Sequence, residues 1–160
     1  MPVHGQRPSK PCPTPVKIEL LPAPEAMRSG VRLGDTTAYP ECAVDRAAVI
    51  HARRYPEFPL MLAIAQVGGV VRVEFTISPS GAIDTAHVKV LRSTHDLFTR
   101  AVRDAIATWT AEPARLGQRR VREWVEYEFR FVADCHGPPH VVRGGRAASE
   151  PHAVEICRLR

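Results

Sequence analysis

Val71-Arg72-Val73-Glu74-Phe75-Thr76-Ile77-Ser78-Pro79-Ser80-Gly81 is the stretch that decides the fold. Val71, Val73, Phe75 and Ile77 alternate with Arg72, Glu74, Thr76 and Ser78. Successive side chains of a strand point to opposite faces, so this pattern reads as a half-buried strand with one wet face. Ser78 to Gly81 reads as a turn, with Pro79 presetting a type I geometry and Gly81 supplying the positive φ that closes a hairpin. The chain returns through Ile83, Ala86, Val88 and Val90, separated by Asp84, His87 and Lys89. An antiparallel partner strand is expected there.

Working outward toward the C-terminus, Leu97, Phe98, Ala101, Val102, Ala105, Ile106 and Trp109 recur at steps of three and four. This is an amphipathic helix, capped by Ser93, Thr94 or Asp96 and stopped at Glu112-Pro113. Trp109 lies on the apolar stripe and is read as a core anchor. A last strand is expected from Val121 to Val132. Val125, Tyr127, Phe129 and Phe131 share one of its faces, and Arg122, Trp124, Glu126, Glu128 and Arg130 share the other. Toward the N-terminus, Tyr55-Pro56 opens a helix through Phe58, Leu60, Met61, Leu62 and Ile64, with Gly68-Gly69 ending it. Proline suits a first helical position. Apolar residues cover most of this helix, so it is expected to be largely buried.

The order helix, strand, strand, helix, strand predicts an α+β domain. Its sheet has three antiparallel strands and both helices lie on one face, the arrangement that buries every apolar stripe. The predicted domain spans 53–132. Residues 1–52 are expected to be an irregular proline-rich linker and 133–160 an irregular tail. Eight of the fifteen prolines lie between Pro2 and Pro40, which favours polyproline-like extension there.

The net charge is +5, and the excess is spread along the chain. No basic arm is present to track a phosphate backbone. One cluster, at Arg115, Arg119, Arg120 and Arg122, is read as a solvated loop, with nucleic-acid binding the weaker reading. The longest purely apolar run is Leu60 to Ala65, whereas a spanning helix needs about 20 residues. As written, the chain carries neither a membrane span nor an export signal. Cys12, Cys42, Cys135 and Cys157 permit three pairings into two disulfides. Cys42 and Cys135 bracket the core and are the pair singled out. Closing that loop would stabilise the fold by about 4–5 kcal/mol. Four free thiols are the alternative.

These segments resemble the C-terminal domain of TonB-type energy transducers. Tyr55-Pro56 resembles that family's helix start, and Gly69 to Gly81 its first strand and turn. Val88-Lys89-Val90-Leu91-Arg92-Ser93 resembles its second strand. Ala101 to Trp109 with Glu112-Pro113-Ala114 resembles its helix and exit, and Val125 to Phe129 its closing strand. The chain departs from the pattern at Pro59, where the family favours alanine, and in lacking the family's N-terminal membrane helix.

The resemblance implies a periplasmic module that grips an extended segment near the N-terminus of an outer-membrane TonB-dependent transporter. With an anchor supplied upstream, it would also engage inner-membrane motor proteins. A sensor or regulatory domain with no transporter partner is the alternative. The expected mechanism is strand addition, in which an extended peptide satisfies the open N–H and C=O groups of an edge strand. Residues 121–132 are assigned that role, with Arg122, Trp124, Val125, Glu126, Tyr127, Glu128 and Arg130 as partner-binding residues. An open edge could equally pair with a second copy. Tyr55, Pro56, Gly69, Gly81, Trp109 and Pro113 are assigned structural roles.

No nucleotide loop, nucleophile elbow or H-E-x-x-H motif occurs. Glu126 and Glu128 sit two apart on a wet face and are read as surface charge, not a catalytic pair. Cys135, His140, His152 and Cys157 lack zinc-finger spacing. No enzyme activity, metal or cofactor is expected.

Overall fold

Phe75 and Tyr127 stack across two neighbouring strands, with ring centroids 5.7 Å apart, and the rest of the sheet grows from that pair. The computed structural model describes residues 11–18, 36–143 and 151–158. In chain order the strands are β1 (Val16–Lys17), β2 (Thr37–Pro40), β3 (Val49–His51), β4 (Gly69–Ile77), β5 (Lys89–Ser93), β6 (Thr110–Glu112), β7 (Ala114–Leu116), β8 (Arg119–His136), β9 (His140–Arg143) and β10 (His152–Arg158). The two α-helices among the described residues are α1 (Leu60–Ile64) and α2 (Asp96–Ile106), and a short 3-10 turn spans Glu41–Ala43.

The alternation at 71–77 does form a strand, β4, with Val71, Val73, Phe75 and Ile77 buried. It pairs antiparallel with β8 from Gly69↔Phe131 to Ile77↔Glu123, and with β5 on its other side. The turn at 78–81 closes through Gly81 N–H donating to Ser78 O at 2.9 Å. Gly81 has φ +88°, and a Cβ there would stand 2.1 Å from Ala111 O. Beyond the Ile77↔Ile83 bridge the return is irregular, and regular pairing resumes at Lys89. Gly69 is required for a different reason: a Cβ would fall 2.2 Å from Thr94 Oγ1 and 2.6 Å from the Phe98 ring.

Helix α2 lays Phe98, Val102, Ala105 and Ile106 onto the sheet. Its cap is His95, whose Nδ1 accepts from Leu97 N–H at 3.1 Å. Ser93 and Thr94 are engaged elsewhere: Ser93 Oγ receives Thr99 Oγ1, and Thr94 Oγ1 accepts from Val70 N–H. Trp109 is buried among Tyr55, Phe75, Tyr127 and Phe129. Its indole N–H donates to Arg54 O at 2.7 Å. Phe98 and Phe131 stack at 4.3 Å.

The fold is mixed α+β, but three sequence expectations need correction. Among the described residues the sheet holds eight strands, ordered β1-β2-β8-β10-β9 with β4, β5 and β7 attached off that path, beside a separate β3–β6 ribbon. Segments expected to be irregular therefore supply strands, from both 1–52 and 133–160. The first helix is shorter and more exposed than its composition suggests. Pro59 is its N-cap, and only Leu62 is buried. Leu60, Met61 and Ile64 are 70% exposed or more, because one helical turn can present only one side chain inward. Gln66, at φ +55°, takes the left-handed position after it.

The disulfides are Cys12–Cys42 and Cys135–Cys157, not Cys42–Cys135. Pro40 pairs opposite Trp124, while Cys135 lies much further along β8. At about 3.3 Å per residue that separation is on the order of 30 Å, whereas a disulfide needs Cα atoms within roughly 7 Å.

Candidate functional site: the far flank of β8

One period-2 alternation gives β8 two faces. Val121, Glu123, Val125, Tyr127, Phe129 and Phe131 point toward the helices, and the residues between them point away. On the outward face Arg72 pairs with Glu126 across the β4–β8 ladder. Arg130 Nη2 lies 2.8 Å from Glu128 Oε1. Each carboxylate is thus paired with an arginine. Trp124 is half-buried on the same face. Its Nε1 and the Nε of Arg122 are buried without a hydrogen-bond partner among the described residues.

The expectation that 121–132 forms an open edge is overturned. One flank of β8 carries β4. The other carries β2, in parallel at Ala38↔Arg122 to Pro40↔Trp124, and β10, in parallel from His152↔Tyr127 to Cys157↔Val132. Only Val125 and Glu126 lie between those two runs. The assigned partner-binding residues are thus brought together on one strand, but their main-chain groups are taken up by the chain itself.

The resident strand β10 is firmly seated. Val154 and Ile156 are fully buried and complete the core opposite Phe129 and Phe131. Burial of this kind is worth about 1.5–3 kcal/mol per side chain. His152 stacks on Tyr127 at 4.7 Å, and its Nε2 lies 3.1 Å from Glu41 Oε2. At the other end, Arg158 Nη1 donates to Ala63 O, at the end of α1. Cys157 is bonded to Cys135 of β8.

Sequence reasoning missed Glu123. Its place in phase with Val125 puts it on the core face, and that phase is the signal by which a buried charge could have been found. It is fully buried. Its Oε2 accepts from Ala48 N–H at 2.7 Å, and Oε1 has no partner among the described residues. Burial pushes its carboxyl up to about 7, reinforced by the nearby Glu41 carboxylate and opposed by the Ala48 hydrogen bond. Burial likewise raises the Tyr127 phenol, with smaller contributions from Tyr55, Glu41 and Glu123.

The arginine cluster falls at the β7–β8 hairpin, where Arg115 exchanges main-chain hydrogen bonds with Arg46. The sequence quartet Cys135, His140, His152 and Cys157 is not assembled as drawn, since His152 faces Tyr127. Cys135, Glu155 and Cys157 do converge within 4.8 Å. Their sulfurs are joined to each other, though, and a metal requires thiolates. Among the described residues no helix is long and apolar enough to cross a membrane.

A mixed sheet in which β8 carries β4 on one flank and the chain's own β2 and β10 on the other defines the class: an α+β module. A family model described as the Gram-negative bacterial TonB protein C-terminal matches residues 54–133, half of the chain, and the chain belongs to that family. Protein TonB of Escherichia coli (strain K12) is 27% identical over 66 residues, which cover 41% of this chain and 27% of that protein. The chain therefore spans about a quarter of the length of this curated relative. The solution NMR structure of the Pseudomonas aeruginosa TonB CTD is similar at 32% identity, with a TM-score of 0.42, over 51% of this chain and 84% of that one.

Proposed function

We propose that this chain is the periplasmic peptide-binding module of a TonB-like energy transducer, acting by binding and not by catalysis. It pairs the flank of β8 with an extended N-terminal segment of an outer-membrane transporter and so supports energy-dependent uptake. Family membership supports the transducer assignment. The observation that carries the mechanism is the seat of β10: the flank from Tyr127 to Val132 already carries a strand in parallel register, with Val154 and Ile156 of that strand buried in the core.

The opposite sheet edge, β5, suits a guest less well. It presents Lys89 and Arg92, and a register shift breaks its ladder between Arg72 and Val73. Charges and irregular pairing are the usual protection of an edge against added strands. Departure of β10 frees the flank at Tyr127, Glu128 and Arg130 for the guest; Val125 and Glu126 lie next to it, and Arg122 and Trp124, still paired with β2, border its end.

The filled flank favours a second reading, a TonB-like sensor or regulatory domain that needs no transporter. A pull-down with peptides copied from transporter plug N-termini separates the two. Capture that is lost when proline replaces Glu128 or Arg130, with amide protection in the α2 helix retained, supports the transporter reading. Absence of capture from both the native and the reduced chain refutes it.

A further inference from the structure

We propose that β10 is a resident substitute for the guest, and that the Cys135–Cys157 disulfide is the latch that holds it in place. This rests on the reading of the β8 flank as the guest site, and adds its regulation. Three observations converge on it. His152–Cys157 occupies Tyr127–Val132 in continuous parallel register. The latch lies at the last regularly paired position, Cys157↔Val132, after which the register slips before Arg158. The segment is held at that end by a covalent bond and at the other by the His152 contacts with Tyr127 and Glu41. A guest therefore cannot enter by peeling the strand from Cys157 while the bond stands.

Opening requires a dithiol reductant, such as a reduced thioredoxin-like protein. Cys135 is the partly exposed sulfur and Cys157 the buried one. The reductant's thiolate attacks Cys135, and Cys157 leaves as a thiolate and takes up a proton. The reductant's second thiolate then attacks its own bridged sulfur and releases Cys135 as a thiol. The S–S bond of the protein is exchanged for one in the reductant, with two electrons and two protons passing to the protein. The second disulfide, Cys12–Cys42, is exposed and secures only the short β1–β2 segment, so it serves as the internal control.

The test uses the full chain and, as probe, a synthetic peptide copying His152–Arg158 with serine in place of the cysteine. Binding of the probe and amide exchange are measured for the oxidised chain, for Cys135→Ser/Cys157→Ser and for Cys12→Ser/Cys42→Ser. Opening the latch should speed exchange at Val154–Ile156 and raise probe affinity by about tenfold or more, because apparent affinity scales with the open fraction. The control pair should change neither. Unchanged exchange at β10 overturns the latch. So does simultaneous loss of protection at Val73 and Phe98, which would make the bond a support of the whole core. Should the double serine variant fold poorly, the same exchange is read on wild type reduced by a dithiol and alkylated at Cys135 and Cys157. If the β10 copy binds after opening and transporter peptides do not, the latch stands and the transporter assignment falls.

Discussion

His152 lies flat against Tyr127, with 4.7 Å between ring centroids and 13° between ring planes, so the start of β10 is seated on the core and not on solvent. Val154 and Ile156 continue that seat opposite Phe129 and Phe131. Ile156→Ala should cost about 2–4 kcal/mol in chemical denaturation, the range for truncating a buried aliphatic side chain. A cost below about 0.5 kcal/mol, typical of a surface change, would mean that β10 is not part of the core in solution.

Trp109 ties the helix exit to the sheet through four aromatic neighbours and a hydrogen bond to Arg54 O. Trp109→Ala should destabilise by about 3–5 kcal/mol. Trp109→Phe keeps part of the contact and should lose distinctly less. Equal losses in equilibrium unfolding would show that the hydrogen bond, not the packing, dominates.

Glu123 should make stability fall with rising pH. Its folded-state value, about 7, lies above the ordinary 4.5, so the folded chain holds the proton more tightly than the unfolded chain. Its contribution is fully present below pH 4.5 and is lost as pH rises through 7. At about 1.36 kcal/mol for each tenfold change in proton affinity, that loss is on the order of 3 kcal/mol. Glu123→Gln should flatten this part of the profile and gain stability at pH 8. A variant profile parallel to the native one between pH 4.5 and 8 would exclude Glu123 as its source.

Gly81→Ala tests the turn. The substitution places a Cβ against Ala111 O on a backbone with φ +88°, and a residue held there costs roughly 1–3 kcal/mol. Gly117, at φ +60° with open space where a Cβ would stand, supplies the contrast, since Gly117→Ala bears only the backbone penalty. A thermal scan in which both variants melt together would show that the Ala111 contact relaxes freely.

The strands β4 and β8 and the helix α2 were legible because each is amphipathic, and period 2 or 3.6 shows directly in the order of residues. β10 was not. Ala153, Val154, Ile156 and Cys157 are all buried, so the strand lacks the alternation that marks a half-wet edge. Its partner, β8, is also more than twenty positions away in the chain. Such a short apolar run carries no period of its own to mark it as a strand and not a buried helical segment. β2 was hidden for a related reason, since it ends in Pro40 within a proline-rich region. With both strands unseen, β8 looked like an edge and Cys42 seemed free to meet Cys135. The apolar count of α1 misled in the other direction, because composition reports how many apolar residues a helix has and not how many its length can bury. At the site, the parity of 122–130 was readable, whereas the occupant of the flank was not.

The central claim is that the Tyr127–Val132 flank receives an extended peptide in place of β10. Isotope-edited NMR of a labelled transporter plug peptide, bound to the chain with Cys135 and Cys157 reduced, tests it most directly. Cross-strand contacts from the peptide to the Phe129 and Phe131 main chain are expected, together with loss of the β10 contacts at those positions. Peptide contacts confined to Val90 and Leu91 on β5, with β10 still paired, would contradict it.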